Sequence, residues 1–209
     1  MTEWRFLRGW SETELQERLA ALEGLGRNFP GPVEELTPAR GWRRREMQAI
    51  VAREAPGPPE VGGAFERARE GVENFRFSDP RIVVGYFDPA VPLARRRMLL
   101  ELKAVGLRYL CGAAVGAVRV EQTDERTVFG FRYETLEGHI ERGTEWFLLT
   151  KDHESGAIGF SISAVWQPGD FPNWWSRVGF AFLARHYQTE WFRRALDRLA
   201  LIATGACEP

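Results

Sequence analysis

Over its second half the chain alternates apolar and polar positions with a period of two, and near its end the rhythm becomes helical. Phe129, Phe131 and Tyr133 fall on one side of an extended segment and Arg132 and Glu134 on the other, while Trp146 and Leu148 alternate with Phe147 and Leu149. This is the pattern of strands whose two faces differ in solvation. Phe160, Ile162, Ala164 and Trp166 repeat it against Ser161 and Ser163. Upstream, Ile82, Val84 and Tyr86 alternate before the Asp88-Pro89 turn, and Met98, Leu100 and Leu102 alternate up to Gly106. Residues 109–120 are rich in small and β-branched side chains, as strands are. Phe180, Leu183 or Ala184, Tyr187, Trp191, Ala195 and Leu199 recur instead every three or four residues, which predicts one long helix closing near Gly205.

The first third is less regular. Ser11 with Glu14 makes a capping box, and Leu15, Leu19 and Leu22 follow at helical spacing until Gly24 and Gly26. Residues 28–41 are rich in Pro and Gly and read as loop, whereas residues 42–54 fit either strand or helix. After Pro56-Gly57-Pro58-Pro59, the positions Phe65, Ala68 or Arg69, Val72 and Phe75 mark one face of a second helix. The predicted order is strand, helix, about six consecutive strands, and a long C-terminal helix. Such an order predicts an α+β fold: an antiparallel sheet of about seven strands with one face covered by helices. Residues 1–41 are expected to form an N-terminal extension with one short helix, and residues 42–209 the main domain. A curved sheet gripping one long helix would leave an apolar cavity between them.

Composition narrows the classes of function. At 209 residues and 44% hydrophobic, with eight Trp, the chain has ample material for a core. A net charge of -1 offers no general attraction to nucleic acid or anionic membrane. Arg43-Arg44-Arg45 and Arg95-Arg96-Arg97 could neutralise phosphates, but each run lies beside acids, and charge along strand edges explains them more simply. Cys111 and Cys207 are far apart and in no metal-like spacing, so a reducing, cytoplasmic setting is expected. The opening residues MTEWRFLRGW lack a basic segment followed by an apolar run, and no stretch approaches the ~18 apolar residues of a membrane span, so neither a leader nor a span is expected. Three scattered His give no zinc spacing, and no metal or cofactor is expected. The familiar glycine-rich phosphate loops, nucleophile elbow and HExxH pattern are absent.

One set of residues carries a family resemblance. Gly130-Phe131, Thr135-Leu136, Gly138-His139, Gly143, Glu145 and Phe147 resemble the signature of an uncharacterised bacterial and plant family catalogued as domain of unknown function nineteen-ninety. Val61-Gly62 with Phe65, Ala68 and Phe75-Arg76-Phe77 is similar to its glycine-then-helix segment, and residues 175–193, with Gly179, Gln188 and Phe192, to its C-terminal helix. The resemblance covers residues 42–201. It departs at Tyr133-Glu134, where the family has small residues, and at Thr144, where the family tends to pair an acid with the one at Glu145. The resemblance implies a START-like, helix-grip fold of the birch-pollen-allergen superfamily, a class that usually encloses a hydrophobic cavity, and implies no catalytic residues.

The connection from Thr135 to Gly143 is the chief candidate site. Gly138 and Gly143 could take positive φ values and fold the loop over itself. His139, Glu141 and Glu145 could then form a proton-transfer set. Alternatively, Thr135 and His139 bond loop backbone while Glu145 pairs with Arg132 across the strands. His153, beside Asp152 and Glu154, is expected to be solvated, and His186, beside Tyr187, to flank the apolar stripe of the C-terminal helix, packing at its edge rather than serving the cavity wall. Cys111-Gly112-Ala113-Ala114 reads as close packing. The aromatic loop of residues 170–175 could be a cavity lid, a homodimer contact, or a staple of helix to sheet. The leading expectation is a binder of a small apolar or amphipathic ligand, lined by Phe131, Tyr133, Trp146, Phe160, Tyr187 and Trp191. The alternatives are an enzyme using the same cavity, with His139 and Glu145 as acid and base, and a protein-interaction module using Trp174-Trp175 and the helix over residues 12–23.

Overall fold

The computed structural model describes residues 3–169, 171 and 174–206; of residues 174–185 the backbone alone is described. Eight strands make one antiparallel sheet: β1 (Glu3–Phe6), β2 (Arg43–Arg53), β3 (Val83–Tyr86), β4 (Arg97–Ala104), β5 (Leu107–Gln122), β6 (Arg126–Thr135), β7 (Glu141–Asp152) and β8 (Ala157–Pro168). Their order across the sheet is β2-β8-β7-β6-β5-β4-β3, and β1 pairs with the free half of β5 beyond the end of β6. Three helices complete the fold: α1 (Glu12–Ala21), α2 (Ala64–Glu73) and α3 (Trp174–Thr204). No helix among the described residues is long and apolar enough to cross a membrane.

The pattern-based order holds, with two refinements. Residues 42–54 resolve as strand, because β2 pairs along its length with β8 and thereby gains the hydrogen bonds a lone segment lacks. The four residues of β1 are too few to display a period, and only their pairing with Leu107 to Leu110 makes them a strand. Register shifts at Val115/Ala117 and Ile50/Ala52 mark bulges, which bend a sheet. The sheet curves around α3, which is the helix-grip arrangement.

Inside that curve Trp191, Phe192, Ala195 and Leu199 of α3 are buried against Phe77, Phe147 and Phe160. Phe147 is the centre of this packing, with ring centroids 4.8 Å from Phe77, 5.2 Å from Phe131 and 6.3 Å from Trp191. The Trp191 indole N–H donates to Ser78 Oγ at 2.9 Å, so its polar atom is satisfied within the core. α2 packs on α3 through Gly71, against Leu199 and Ile202, and Arg67 donates to the Ala203 carbonyl near the end of α3. On the outer face Leu22 lies with Leu99, Leu110 and Leu136, joined by Leu15 and Leu19 of α1. Gly112 leaves room there, since a Cβ would lie 2.6 Å from Leu22 Cδ2. The arginine runs are tied into the fold: Arg43 lies over the Trp166 ring, Arg96 is buried with its guanidinium on the Glu73 carbonyl, and Arg97 donates to Leu22 and Leu25 carbonyls.

Candidate functional site

The β6–β7 connection is shorter than the sequence suggests. Both strands continue into the glycine-rich stretch, leaving residues 136–140 as the loop. Gly138 takes φ +79° within the turn, and Gly143 takes φ +147° inside β7. A Cβ at Gly143 would lie 2.0 Å from the Val165 carbonyl oxygen, so β7 can approach β8 this closely only with glycine there. Thr135 Oγ1 accepts the Gly143 N–H at 2.8 Å and lies 2.6 Å from Asn28 Oδ1. The Asn28 side-chain amide in turn donates to the Glu141 carbonyl at 2.9 Å, so the N-terminal segment braces the loop from outside.

Register decides which side chains meet. Tyr133 stands directly opposite Glu145, and its hydroxyl donates to Glu145 Oε2 at 2.5 Å. Arg132 stands opposite Trp146 on the other face, where it pairs with Glu134 at 2.7 Å and lies over the Trp146 ring. The expected Arg132–Glu145 pair therefore does not form, because strand alternation puts the two on opposite sides of the sheet.

Between the concave face and α3 lies a cavity of about 210 Å³. Its walls are mostly apolar, with Phe75, Leu100, Leu102, Tyr109, Trp166 and Trp191 among them, and its polar members include Tyr133, Thr135, His139, Glu141, Glu145 and Gln188. Of the residues expected to line it, Tyr133, Tyr187 and Trp191 do so. Phe131 and Phe160 do not: they share the concave face but are covered by Phe147 and Phe77, which fill the space between sheet and helix there. Trp146 does not either, since its even position in β7 turns it to the outer face. Gln188 and the β4 end around residues 102–105 join the lining without having been expected as site residues. Gln188 lies between Tyr187 and Trp191 on the same helix, and its polarity is what kept it off an apolar stripe.

His139 is 2% exposed, and its Nδ1 accepts the Glu141 backbone N–H at 2.9 Å. Burial pushes its pKa down to about 3, so the ring is neutral. With Nδ1 used as an acceptor, the ring proton resides on Nε2, and Nε2 has no hydrogen-bond partner among the described residues. Burial pushes the Glu145 carboxyl up to about 8 despite the Tyr133 hydrogen bond, with Glu141 adding to the rise. Burial likewise raises Glu141 to about 7, opposed by the Gln188 amide, which donates to its Oε1 at 2.7 Å. Burial and the neighbouring Glu145 hold the Tyr133 hydroxyl well above the usual range. Gln188 Oε1 is a second buried atom without a partner among the described residues. The single Lys or Arg on the lining among the described residues, Lys103, has its ammonium 2.9 Å from the Pro80 carbonyl and 3.6 Å from Glu101. The site is thus mostly apolar, and its buried polar groups meet almost no compensating positive charge among the described residues.

The other sequence candidates fall elsewhere. His153 is buried rather than solvated, its ring nitrogens 2.8 Å from Thr127 Oγ1 and 3.1 Å from the Asp124 carbonyl, because the turn folds back onto the β5–β6 connection. His186 is exposed, edge-on to Tyr187. Cys111 is buried in a cluster with Tyr109 and Ile140. Phe171 reaches the cavity lining, whereas residues 170, 172 and 173, the side chains of Trp174 and Trp175, and Cys207 lie outside the described residues. No group of three or more His, Cys, Asp or Glu among the described residues could hold a metal ion.

A family model described as a domain of unknown function (DUF1990) matches residues 31–198. No curated protein matches the sequence. Among solved structures the chain is similar to TTHA0849 from Thermus thermophilus, with 16% identity and a TM-score of 0.45 over 80% of this chain and 99% of that one. It is similar to ginseng major latex-like protein 151 from Panax ginseng, with 9% identity and a TM-score of 0.42 over 76% and 95%. A third similar structure is jhp0584 from Helicobacter pylori, with 10% identity and a TM-score of 0.47 over 85% and 96%.

Proposed function

The chain belongs to the DUF1990 family, a domain of unknown function, and from that premise we propose that it binds a small apolar or amphipathic ligand in the cavity between its sheet and α3. The observation that carries this reading is an apolar cavity with buried polar groups gathered on its wall. Protein interiors are otherwise packed without voids, and ligand sites are mostly apolar with a few polar groups that fix orientation. At about 210 Å³ the cavity is smaller than the ~300–1,000 Å³ usual for drug-sized ligands. It exceeds the ~150 Å³ that admits benzene, so a substituted ring or a short branched chain is the right size. Tyr133, Tyr187 and Trp191 are the proposed contacts, backed from the core by Phe131 and Phe160. Native mass spectrometry and solvent extraction of the purified protein test this. A bound small molecule, released by solvent, is the expected result. No bound molecule, together with no response of Trp191 fluorescence to any apolar probe, would overturn it.

A second reading has a specific observation in its favour: His139 and Glu145 both line the cavity. A neutral His139 can polarise an acceptor oxygen and a protonated Glu145 can donate a proton, returning as the base once it has done so, which are the roles of an acid–base enzyme. If a bound molecule is turned over, Glu145→Gln should abolish turnover while leaving binding intact; turnover unaffected by that change would remove the reading. The interaction-module reading is weaker, because the leucines of α1 are used against the sheet. Its remaining basis, with a homodimer as the partner, is Trp174-Trp175. Sedimentation giving a monomer would set it aside. We place the protein in the cytoplasm, from its two cysteines lying far apart in sequence, and assign residues 1–41 as an extension that braces a domain of residues 42–209.

A further inference from the structure

Two features on the cavity wall concern the polar part of the ligand rather than its apolar body. The first is His139, 2% exposed, whose Nδ1 is occupied by the Glu141 N–H and whose Nε2 has no partner among the described residues. A buried N–H left without an acceptor costs free energy; His139 lines the cavity, and Gln188 Oε1 on the same lining is likewise without a partner among the described residues, so the two atoms do not satisfy each other. The second is that, among the described residues, no cation compensates the negative charge on this wall. Glu141 and Glu145 share this wall, Tyr133 already donates to Glu145, and the Lys103 ammonium is engaged by Pro80 and Glu101.

We propose that the cavity selects an uncharged ligand bearing a hydrogen-bond acceptor, a carbonyl oxygen above all, that docks on the His139 Nε2–H, and that it rejects anionic head groups. This rests on the binding reading above and specifies its ligand class. An anion brought beside two carboxyl groups would be desolvated without a cation to pair with. A neutral carbonyl meets neither penalty and satisfies the orphaned donor. The raised carboxyl pKa values agree, since a site built for anions would hold its titrating groups in the opposite direction.

Acetophenone, cumene and benzoate have similar shapes and differ in the polar group, so they separate the contributions. Their affinities for the full chain can be read from Trp191 fluorescence and calorimetry at neutral pH. Acetophenone should bind, with benzoate at least about tenfold weaker. In His139→Asn the new side-chain oxygen can still accept the Glu141 N–H, but nothing replaces the Nε2 donor. That variant should lose about tenfold in acetophenone affinity and none for cumene. In the wild-type protein labelled with ¹⁵N-histidine, the His139 Nε2–H resonance should move downfield with acetophenone and stay in place with cumene, which keeps the test valid if the variant does not fold. Benzoate binding as tightly as acetophenone, an equal loss for acetophenone and cumene in His139→Asn, or an unmoved Nε2–H resonance would overturn the proposal while leaving the cavity-binding reading in place. If none of the three probes binds, the binding reading falls and this one with it.

Discussion

Strand β7 carries buried ionisable chemistry near both ends of one face, with Phe147 and Leu149 between, and the two ends are handled in opposite ways. Near its end, Lys151 is fully buried, with Nζ 2.7 Å from Glu54 Oε2 and 2.9 Å from the Pro58 carbonyl. Glu54 also accepts the N–H groups of Phe65 and Glu60. Burial pushes that carboxyl up, but Lys151 and the two amides outweigh it and hold the pKa below its ordinary value. Near the start of the strand, Glu141 and Glu145 are pushed up to about 7 and about 8, with no cation beside them among the described residues. The Glu54 site is closed upon itself and ties β7, the loop before α2, and α2 together. The Glu145 site borders a cavity and leaves donors and acceptors unused. The same strand thus shows what a buried carboxylate looks like when the fold alone has to satisfy it, and a ligand is the natural complement where the fold does not.

The largest expected effect probes the closed end. Lys151→Met leaves Glu54 buried without its cation, and a loss of roughly 3–5 kcal/mol in denaturant unfolding is expected. A loss below about 1 kcal/mol would show that the pair is not the anchor described. Next comes the backbone of the open end. Gly143→Ala puts a methyl group on the Val165 carbonyl at a positive φ, and a loss of up to about 3 kcal/mol is expected, with weakened binding of any cavity probe. Stability unchanged in this variant would mean that β7 and β8 need no close approach there.

The pH dependence separates the two ends by sign. Glu141 and Glu145 bind their protons more tightly in the folded state. Their contribution is therefore complete below the ordinary carboxylate range and is lost as pH rises through about 7 and about 8. Glu54 does the reverse: its contribution is present above the ordinary range and is lost on acidification. His139, held neutral by burial, also loses its contribution as pH falls. Stability should thus fall from about pH 4.5 up to about 8, most steeply below about 7, by up to about 1.4 kcal/mol per pH unit for each carboxyl still protonated in the folded state. Glu145→Gln should flatten that stretch of the curve. A wild-type curve flat over this interval would break the contrast. The smallest effect is a control away from both ends: Arg44→Ala removes an exposed pair with Glu46 and should change stability by no more than about 0.5 kcal/mol.

The period-two pattern placed Tyr133, Glu145, Phe147 and Leu149 on comparable footing but did not say which strand faced which. Offsetting the register by one residue would have favoured the Arg132–Glu145 pair, and only the paired strands put Tyr133 there instead. Lys151 continues the inward odd-numbered series, yet a lysine there reads as the solvated end of a strand until Glu54 is brought to it across 97 residues of chain. His153 misled for the same reason: its acid neighbours in sequence suggested solvent, while Asp124 and Thr127, which enclose it, belong to the β5–β6 connection and the start of β6. Phe131 and Phe160 stand on the face expected to line the cavity, and the positions of Phe147 and Phe77 put them in the core instead.

The sequence by itself determined the α+β class, the run of strands closed by a long helix, the family, and the loop around His139 as the place to look. These follow from periodicity, glycine positions and motif, which are properties of neighbours along the chain. The tertiary structure alone decided that β1 joins the sheet, that Glu145 meets Tyr133, and that, among the described residues, Glu54 has a cation beside it while Glu141 and Glu145 have none and His139 keeps one nitrogen unused. Those outcomes depend on burial and on partners far away in sequence, and the same carboxyl group is lowered or raised according to which partner the fold delivers.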